Sequence, residues 1–367
     1  MSKNNPLNIL GLMSGTSMDG INTTIIQTDG VEAKRFNIHE IYSYSKITNK
    51  LLNEAFKNPL KFLSNNLKKN KVSDYVTFDH SIGVKKFLKK HNVQVDLIGF
   101  HGQTIYHDYK TKTSIQLGNP LLLAKLLSIN VISNFRANDI KNGGQGAPIA
   151  PIYHKSIIEE FDLELPSCFL NLGGVGNITF WNGKILLGFD TGPANGLMDY
   201  YCFKVLNQKF DTDGILASQG MPNQQIVESF LNDPFFKLNY PKSLDRQHFN
   251  YILDMIIQNR MNANDSLATL LDCTIKSIIA SINFLPSPPS NIFVMGGGVN
   301  NLYLIKTLKK TYPTELKSIN EIGLYAEMIE AELIAYIAGR SYYGLPYTFP
   351  STTGVKKSMT GGKKFNF

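Results

Sequence analysis

Apolar residues along this chain fall into short blocks broken by polar, glycine-bearing turns, and the blocks predict alternating strands and helices. Residues 8–13 form an apolar run that ends at Ser14-Gly15-Thr16-Ser17-Met18-Asp19-Gly20. Residues 21–27 read as a second strand, so the pair is a hairpin, and 36–44 continues as a third strand. Helical spacing covers 49–56 and 72–91. A short buried strand at 96–100 ends at His101-Gly102-Gln103-Thr104, then 120–127 reads as helix and 130–133 as strand. The opening recurs about 160 residues later. Strand 167–172 meets the turn Gly173-Gly174-Val175-Gly176, strand 177–181 meets an Asn182-Gly183 turn, and the run 185–189 leads to Asp190. Helices are predicted at 194–206, 223–231, 247–257, 266–284, 301–310 and 326–343, with a strand at 291–295 ending in Gly296-Gly297-Gly298.

Two such hairpins imply a duplicated βββ-α unit, and their mixture with parallel crossovers makes the chain α/β. The glycine-rich, polar stretch 134–148 reads as the linker. The expected domains are therefore 1–134, carrying the first hairpin, and 135–339, carrying Asp190 and the later glycine turns. Residues 340–367 are expected to pack back on the first domain.

Composition narrows the class. At 367 residues, 43% hydrophobic and 18% charged, the chain can bury two cores and is not a disordered tract. Its longest apolar runs, such as 121–127, stop far short of the ~20 residues of a membrane span. Met1–Pro6 has no apolar export signal, and Cys168, Cys202 and Cys273 have neither metal nor redox spacing. A cytoplasmic protein without a membrane partner is expected. The net charge of +8 is scattered over lysine pairs such as Lys85-Lys86 and Lys309-Lys310, without interleaved aromatics. That reads as solvated surface, not a nucleic-acid interface.

The candidate chemistry lies at the turns. Asp190 sits where a strand meets a helix start near Pro193, beside helix-start N–H groups expected to be free; it reads equally as a helix cap or as a base that takes a proton while those donors hold an anion. The 14–20 turn offers N–H groups and hydroxyls to phosphate oxygens, with Asp19 placed to help fix Mg²⁺ through water; a plain hairpin is the alternative. Gly173-Gly174 is a second such turn, and the third, Gly296-Gly297-Gly298, could let a flat base or ribose lie against bare backbone. Arg136 can hold a carboxylate or bridge to Asp139, and Gln145 can read a hydroxyl. His101 and Gln103 stand at a strand end, where ligand contacts concentrate. No G-x-x-x-x-G-K-[ST] or G-x-G-x-x-G pattern is present.

Taken in order, GLMSGTSMDG (11–20), GFHGQT (99–104), FRANDIKNGGQGAP (135–148), NLGGVGNIT (171–179), GFDTGPANGLMD (188–199), PKS with Arg246 (241–246), GGG (296–298) and EA (330–331) resemble the anhydro-N-acetylmuramic acid kinases. This family lies within the hexokinase, actin and Hsp70 superfamily. The resemblance implies a two-domain fold of duplicated ribonuclease-H-like units with an interdomain cleft, and use of ATP and Mg²⁺. It implies hydrolytic opening of 1,6-anhydro-N-acetylmuramic acid with phosphorylation at O6, in peptidoglycan recycling. Asp190 falls on the base. Gly15, Thr16, Ser17, Met18, Asp19, Gly20, Ile21 and Asn22 fall on the nucleotide loop, with Gly173, Gly174, Gly296, Gly297 and Gly298 also toward ATP. His101, Gln103, Arg136, Gln145 and Glu330 fall toward the sugar. The family leads to an expected homodimer. The chain departs from the family pattern at Asn22 and Asn134, where acids are usual, at Ala194, and at Leu244-Asp245. A kinase for another anhydro sugar such as levoglucosan, or a nucleotide-binding relative with impaired catalysis, is the alternative.

Overall fold

The computed structural model describes residues 4–15, 20–108, 111–245, 247–312 and 314–367. The chain divides into two compact units, one comprising residues up to Glu160 with Glu327–Phe367, the other Phe161–Ala326. The strands are β1 (Leu7–Ser14), β2 (Ile21–Thr28), β3 (Ala33–Tyr42), β4 (Leu97–Asp108), β5 (Thr113–Leu117) and β6 (Val131–Ser133) in the first unit. The second holds β7 (Ser167–Leu172), β8 (Val175–Trp181), β9 (Leu186–Pro193), β10 (Asn291–Met295) and β11 (Glu315–Ser318).

In the first unit β1, β2 and β3 form an antiparallel meander, β4 runs parallel to β1, and β6 runs parallel to β4. β1 and the start of β4 read as continuous apolar runs because helices cover both faces. Leu10, Leu12, Ile98 and Phe100 share a core with Val72, Val76, Val84 and Phe87 of the Asn66–His91 helix. On the opposite face the rung Gly11–Gly99 admits the Ala326–Tyr342 helix, since a Cβ on Gly99 would stand 2.6 Å from the Ile334 carbonyl oxygen. Arg35 of β3 ties this helix down. Its guanidinium donates to Glu160 (2.6 Å), Glu332 (3.2 Å) and the Tyr153 hydroxyl (3.0 Å), and Tyr153 donates to Glu332 (2.6 Å). The C-terminal strand Lys363–Phe365 adds antiparallel to β6.

The expected boundary at 134/135 therefore lies inside the first unit, and the chain passes to the second at 160/161 and back at 326/327. The 134–148 stretch is not a linker. Phe135 is buried, Asp139 accepts from the Gly146 N–H (2.8 Å) and the Thr353 hydroxyl (2.6 Å), and the Gln145 N–H donates to the Thr353 carbonyl (2.7 Å). Its glycines serve a folded turn, which composition alone does not distinguish from a tether.

The second unit repeats the pattern. β7, β8 and β9 are antiparallel, β10 runs parallel to β7, and β11 runs parallel to β10. The Ala263–Asn283 helix supplies Leu267, Leu270, Leu271 and Ile278 to its core. No helix among the described residues is long and apolar enough to cross a membrane.

Candidate active site

Asp190 lies within β9, not at its end. The ladder pairs Asn177 with Asp190 and Gly176 with Gly192, leaving Thr191 as an extra residue. Such a bulge bends the strand and re-aims the side chains beside it. Phe189 and Thr191 are fully buried, whereas Asp190 reaches solvent. Two backbone bonds from a segment more than fifty residues away fix it. The Asp190 N–H donates to the Lys242 carbonyl (2.9 Å), and the Leu244 N–H donates to Asp190 Oδ2 (2.7 Å). Asp190 is thus no helix cap: the Asn195–Tyr201 helix is preceded by Ala194, without a side-chain cap.

The helix-start donors expected to hold an anion are already engaged. The Ala194 and Gly196 N–H groups donate to the Gly174 carbonyl (3.2 and 3.1 Å), and the Asn195 N–H donates to Gly173 (2.9 Å). The β7–β8 turn caps the helix, so those N–H groups are not the anion site. The carbonyls of Gly173 and Gly174 face inward, which leaves their Cα edges as the accessible backbone. A Cβ on Gly173 would meet nothing closer than 3.4 Å, and one on Gly297 nothing closer than 3.9 Å. Gly296 and Gly298 are hemmed in by Asn171 and Leu172, with Gly296 at φ 83°. Because β10 pairs with β7 through Met295–Asn171, the two glycine turns leave neighbouring strand ends side by side. That surface suits a flat base or ribose.

In the first unit the predicted phosphate hairpin joins β1 to β2. Thr16, Ser17, Met18 and Asp19 lie outside the described residues, as does Arg246, so the Mg²⁺ assignment to Asp19 finds no geometry here. The base of the hairpin is heavily anchored. Gln103 is fully buried, donates to the Gly15 carbonyl (2.9 Å) and accepts from the Tyr44 hydroxyl (3.2 Å); Ser14 Oγ contacts His80 Nε2 (3.4 Å). Gln103 therefore anchors the base of the loop. Ile21 belongs to the core, so only its backbone can face a nucleotide. Gly20 is buried, and Asn22 pairs with His39 (3.3 Å).

Arg136, His101 and Glu330 come together in this unit. Arg136 Nε–H donates to His101 Nε2 (3.3 Å), and Nη1–H donates to the Gly146 carbonyl (2.7 Å). Since arginine only donates, His101 Nε2 is the acceptor and Nδ1–H donates to the Gly102 carbonyl (3.0 Å). Burial, aided by the Arg136 charge, pulls the His101 pKa down to about 3. His101 is 4% exposed, so it orients Arg136 from beneath. Glu330 is solvent-accessible yet recessed, and desolvation raises its pKa against the opposing pull of Arg136. Gln145 is half-buried one residue before Gly146. Among the described residues no cluster of three His, Cys, Asp or Glu side chains could hold a metal.

A meander extended by two parallel strands is thus present twice, with glycine turns at strand ends and a carboxylate beside a strand bulge. The profile described as anhydro-N-acetylmuramic acid kinase matches residues 7–366. The anhydro-N-acetylmuramic acid kinase of Pelagibacter ubique is 38% identical over 96% of each chain. That of Nitrobacter winogradskyi is 36% identical over 96% of this chain and 98% of its own. Among solved structures, component A of the Acidaminococcus fermentans (R)-2-hydroxyglutaryl-CoA dehydratase aligns at 11% identity with a TM-score of 0.45, covering 91% of this chain and 99% of its own. The chain belongs to the anhydro-N-acetylmuramic acid kinase family.

Proposed function

We propose that this kinase opens 1,6-anhydro-N-acetylmuramic acid and phosphorylates it from ATP, giving N-acetylmuramic acid 6-phosphate and ADP for cell-wall recycling. Water attacks the anomeric carbon, the C1–O6 bond breaks, and O6 takes the γ-phosphoryl group. Asp190 accepts the proton that water releases. One observation carries the reading: a solvent-reaching carboxylate on a strand bulge, its Oδ2 held at 2.7 Å by the Leu244 N–H, in a chain of this family. A carboxylate oriented this way accepts a proton without first reorganising. Mg²⁺ would be held from the 15–22 loop and would neutralise phosphate charge.

Arg136 and Glu330 are the residues offered to the sugar, with His101 and Gln145 supporting them. The muramic lactyl carboxylate calls for a cation, and Arg136 is oriented by two hydrogen bonds to supply one. Levoglucosan lacks that carboxylate, so the muramic sugar is favoured. The protein functions in the cytoplasm as a homodimer.

The deciding experiment incubates wild type and Asp190→Asn with ATP and the anhydro sugar in ¹⁸O-water, with products identified by mass. Wild type should place one ¹⁸O at C1 and the phosphate at O6. The variant should lose about 10²–10⁴-fold in kcat, the range for a positioned acid or base, while still binding ATP. Undiminished turnover of Asp190→Asn would overturn the assignment.

A further inference from the structure

The segment whose backbone grips Asp190 also carries a charged side chain that the proposed chemistry has not used. Lys242 is 5% exposed, and its ammonium lies over the rings of Phe235 (4.5 Å), Phe284 (5.7 Å) and Phe189 (5.9 Å). Its Nζ–H donates to the Phe235 carbonyl (3.2 Å). The rings come from three places: Phe189 from β9, Phe235 from the Pro234–Lys237 turn, and Phe284 from the end of the Ala263–Asn283 helix. Tyr240 closes the outer side, stacked on Phe189 (5.5 Å, 15°) and edge-on to Phe284 (5.6 Å, 85°). A buried ammonium is costly unless its surroundings compensate, and π faces with a carbonyl do so in part. Asp190 adds a favourable Coulombic pull on the ammonium.

The same residue is bound into the site through its backbone. The Lys242 carbonyl accepts the Asp190 N–H, and two residues on, the Leu244 N–H grips the Asp190 carboxylate. We propose that Lys242 is a positioning residue for Asp190: its caged ammonium pins the 242–244 segment and sets the orientation and charge of the carboxylate. This rests on Asp190 being the base. It adds a reason for the aromatic cage: a neutral residue would fill the space, but only a cation attracts the Asp190 carboxylate.

Burial lowers the Lys242 pKa to about 8 while Asp190 raises it, so the ammonium is charged at neutral pH and is lost as pH rises through 8. The test uses the full-length enzyme with Lys242→Met, Lys242→Arg and Asp190→Asn. Thermal melts report folding, and kcat and KM are measured from pH 6 to 9.5. Lys242→Met should lose about 10- to 100-fold in kcat, the cost of misplacing a catalytic group, with KM for ATP within about twofold of wild type. Wild-type kcat should fall above pH 8, and Lys242→Arg, which stays charged, should recover most of the activity and lose that alkaline fall. A merely structural lysine would not move the alkaline limb. Wild-type kcat in Lys242→Met, or an unchanged alkaline fall in Lys242→Arg, would refute the positioning role. Should Lys242→Met fail to fold, the Lys242→Arg profile decides. Activity retained in Asp190→Asn would instead overturn the base assignment, whatever Lys242 does.

Discussion

At the scale of single residues, a side chain's role here depends on which of its atoms are already occupied. His101 resembles a ligand-contacting histidine in the sequence, yet both ring nitrogens are spent, one on Gly102 and one on Arg136. Its value is to stay neutral and keep a lone pair aimed at a guanidinium. With a pKa near 3, the ring should show no titration in ¹⁵N NMR between pH 8 and pH 5. Arg136→Met removes a repelling cation, so the His101 pKa should rise. The same variant should raise KM for the anhydromuramic sugar about 10- to 100-fold, the worth of a charge-assisted hydrogen bond, and leave levoglucosan turnover unchanged. A His101 ring that titrates near 6.5 in wild type would rule out the buried, neutral role assigned here.

At the scale of elements, the β7–β8 turn and the Asn195–Tyr201 helix form one object: two glycine carbonyls cap the helix, and the open glycine edges remain for a ligand. Gly196 makes this possible, because a Cβ there would lie 2.6 Å from the Gly174 carbonyl oxygen. Gly196→Ala should therefore displace the turn, destabilise the protein by about 1–3 kcal/mol, the usual cost of overpacking, and raise KM for ATP. Urea unfolding midpoints and initial rates check this; unchanged values in both would mean the turn and helix are not coupled. Much at this scale was legible in the sequence. Apolar runs ending in glycine turns marked β7 at 167–172 and β10 at 291–295 as the structure has them, because strands flanked by glycine turns carry their own boundaries. The Pro151–Glu160 helix was not anticipated, since it follows a stretch whose glycine and proline content suggested a tether. β4 runs on to Asp108 and pairs with β5, whereas its polar second half read as loop. Nor could spacing reveal the grip on Asp190, which comes from a backbone N–H 54 residues away. Nor could it reveal that the Gln103 amide anchors the Gly15 carbonyl, 88 residues earlier in the chain.

At the scale of the whole molecule, the two units share a strand plan but differ in the histidines they bury. Six of the seven histidines lie in the first unit and only His248 in the second. Three of the six, His80, His101 and His154, are buried, and burial lowers their pKa values to about 4, 3 and 3. A histidine with a depressed folded pKa favours the native state fully above its unfolded value near 6.5. As pH falls below that, the unfolded chain takes up protons that the folded one refuses, and the stability is lost progressively toward pH 3–4. Each such proton is worth 1.36 kcal/mol per pH unit, so three amount to roughly 4 kcal/mol per pH unit near pH 5. Glu332, whose pKa burial raises, binds a proton more readily when folded and offsets part of this loss. The second unit has no buried neutral histidine to match. Acidification from pH 7 to pH 5 should therefore strip hydrogen-exchange protection from β1, β4 and the Asn66–His91 helix first, while β7, β10 and the Ala263–Asn283 helix keep theirs. Mass-spectrometric exchange at pH 7, 6 and 5, corrected for intrinsic rates, reads this directly. Parallel loss in the two units would mean that the buried histidines do not set the acid limit of the fold.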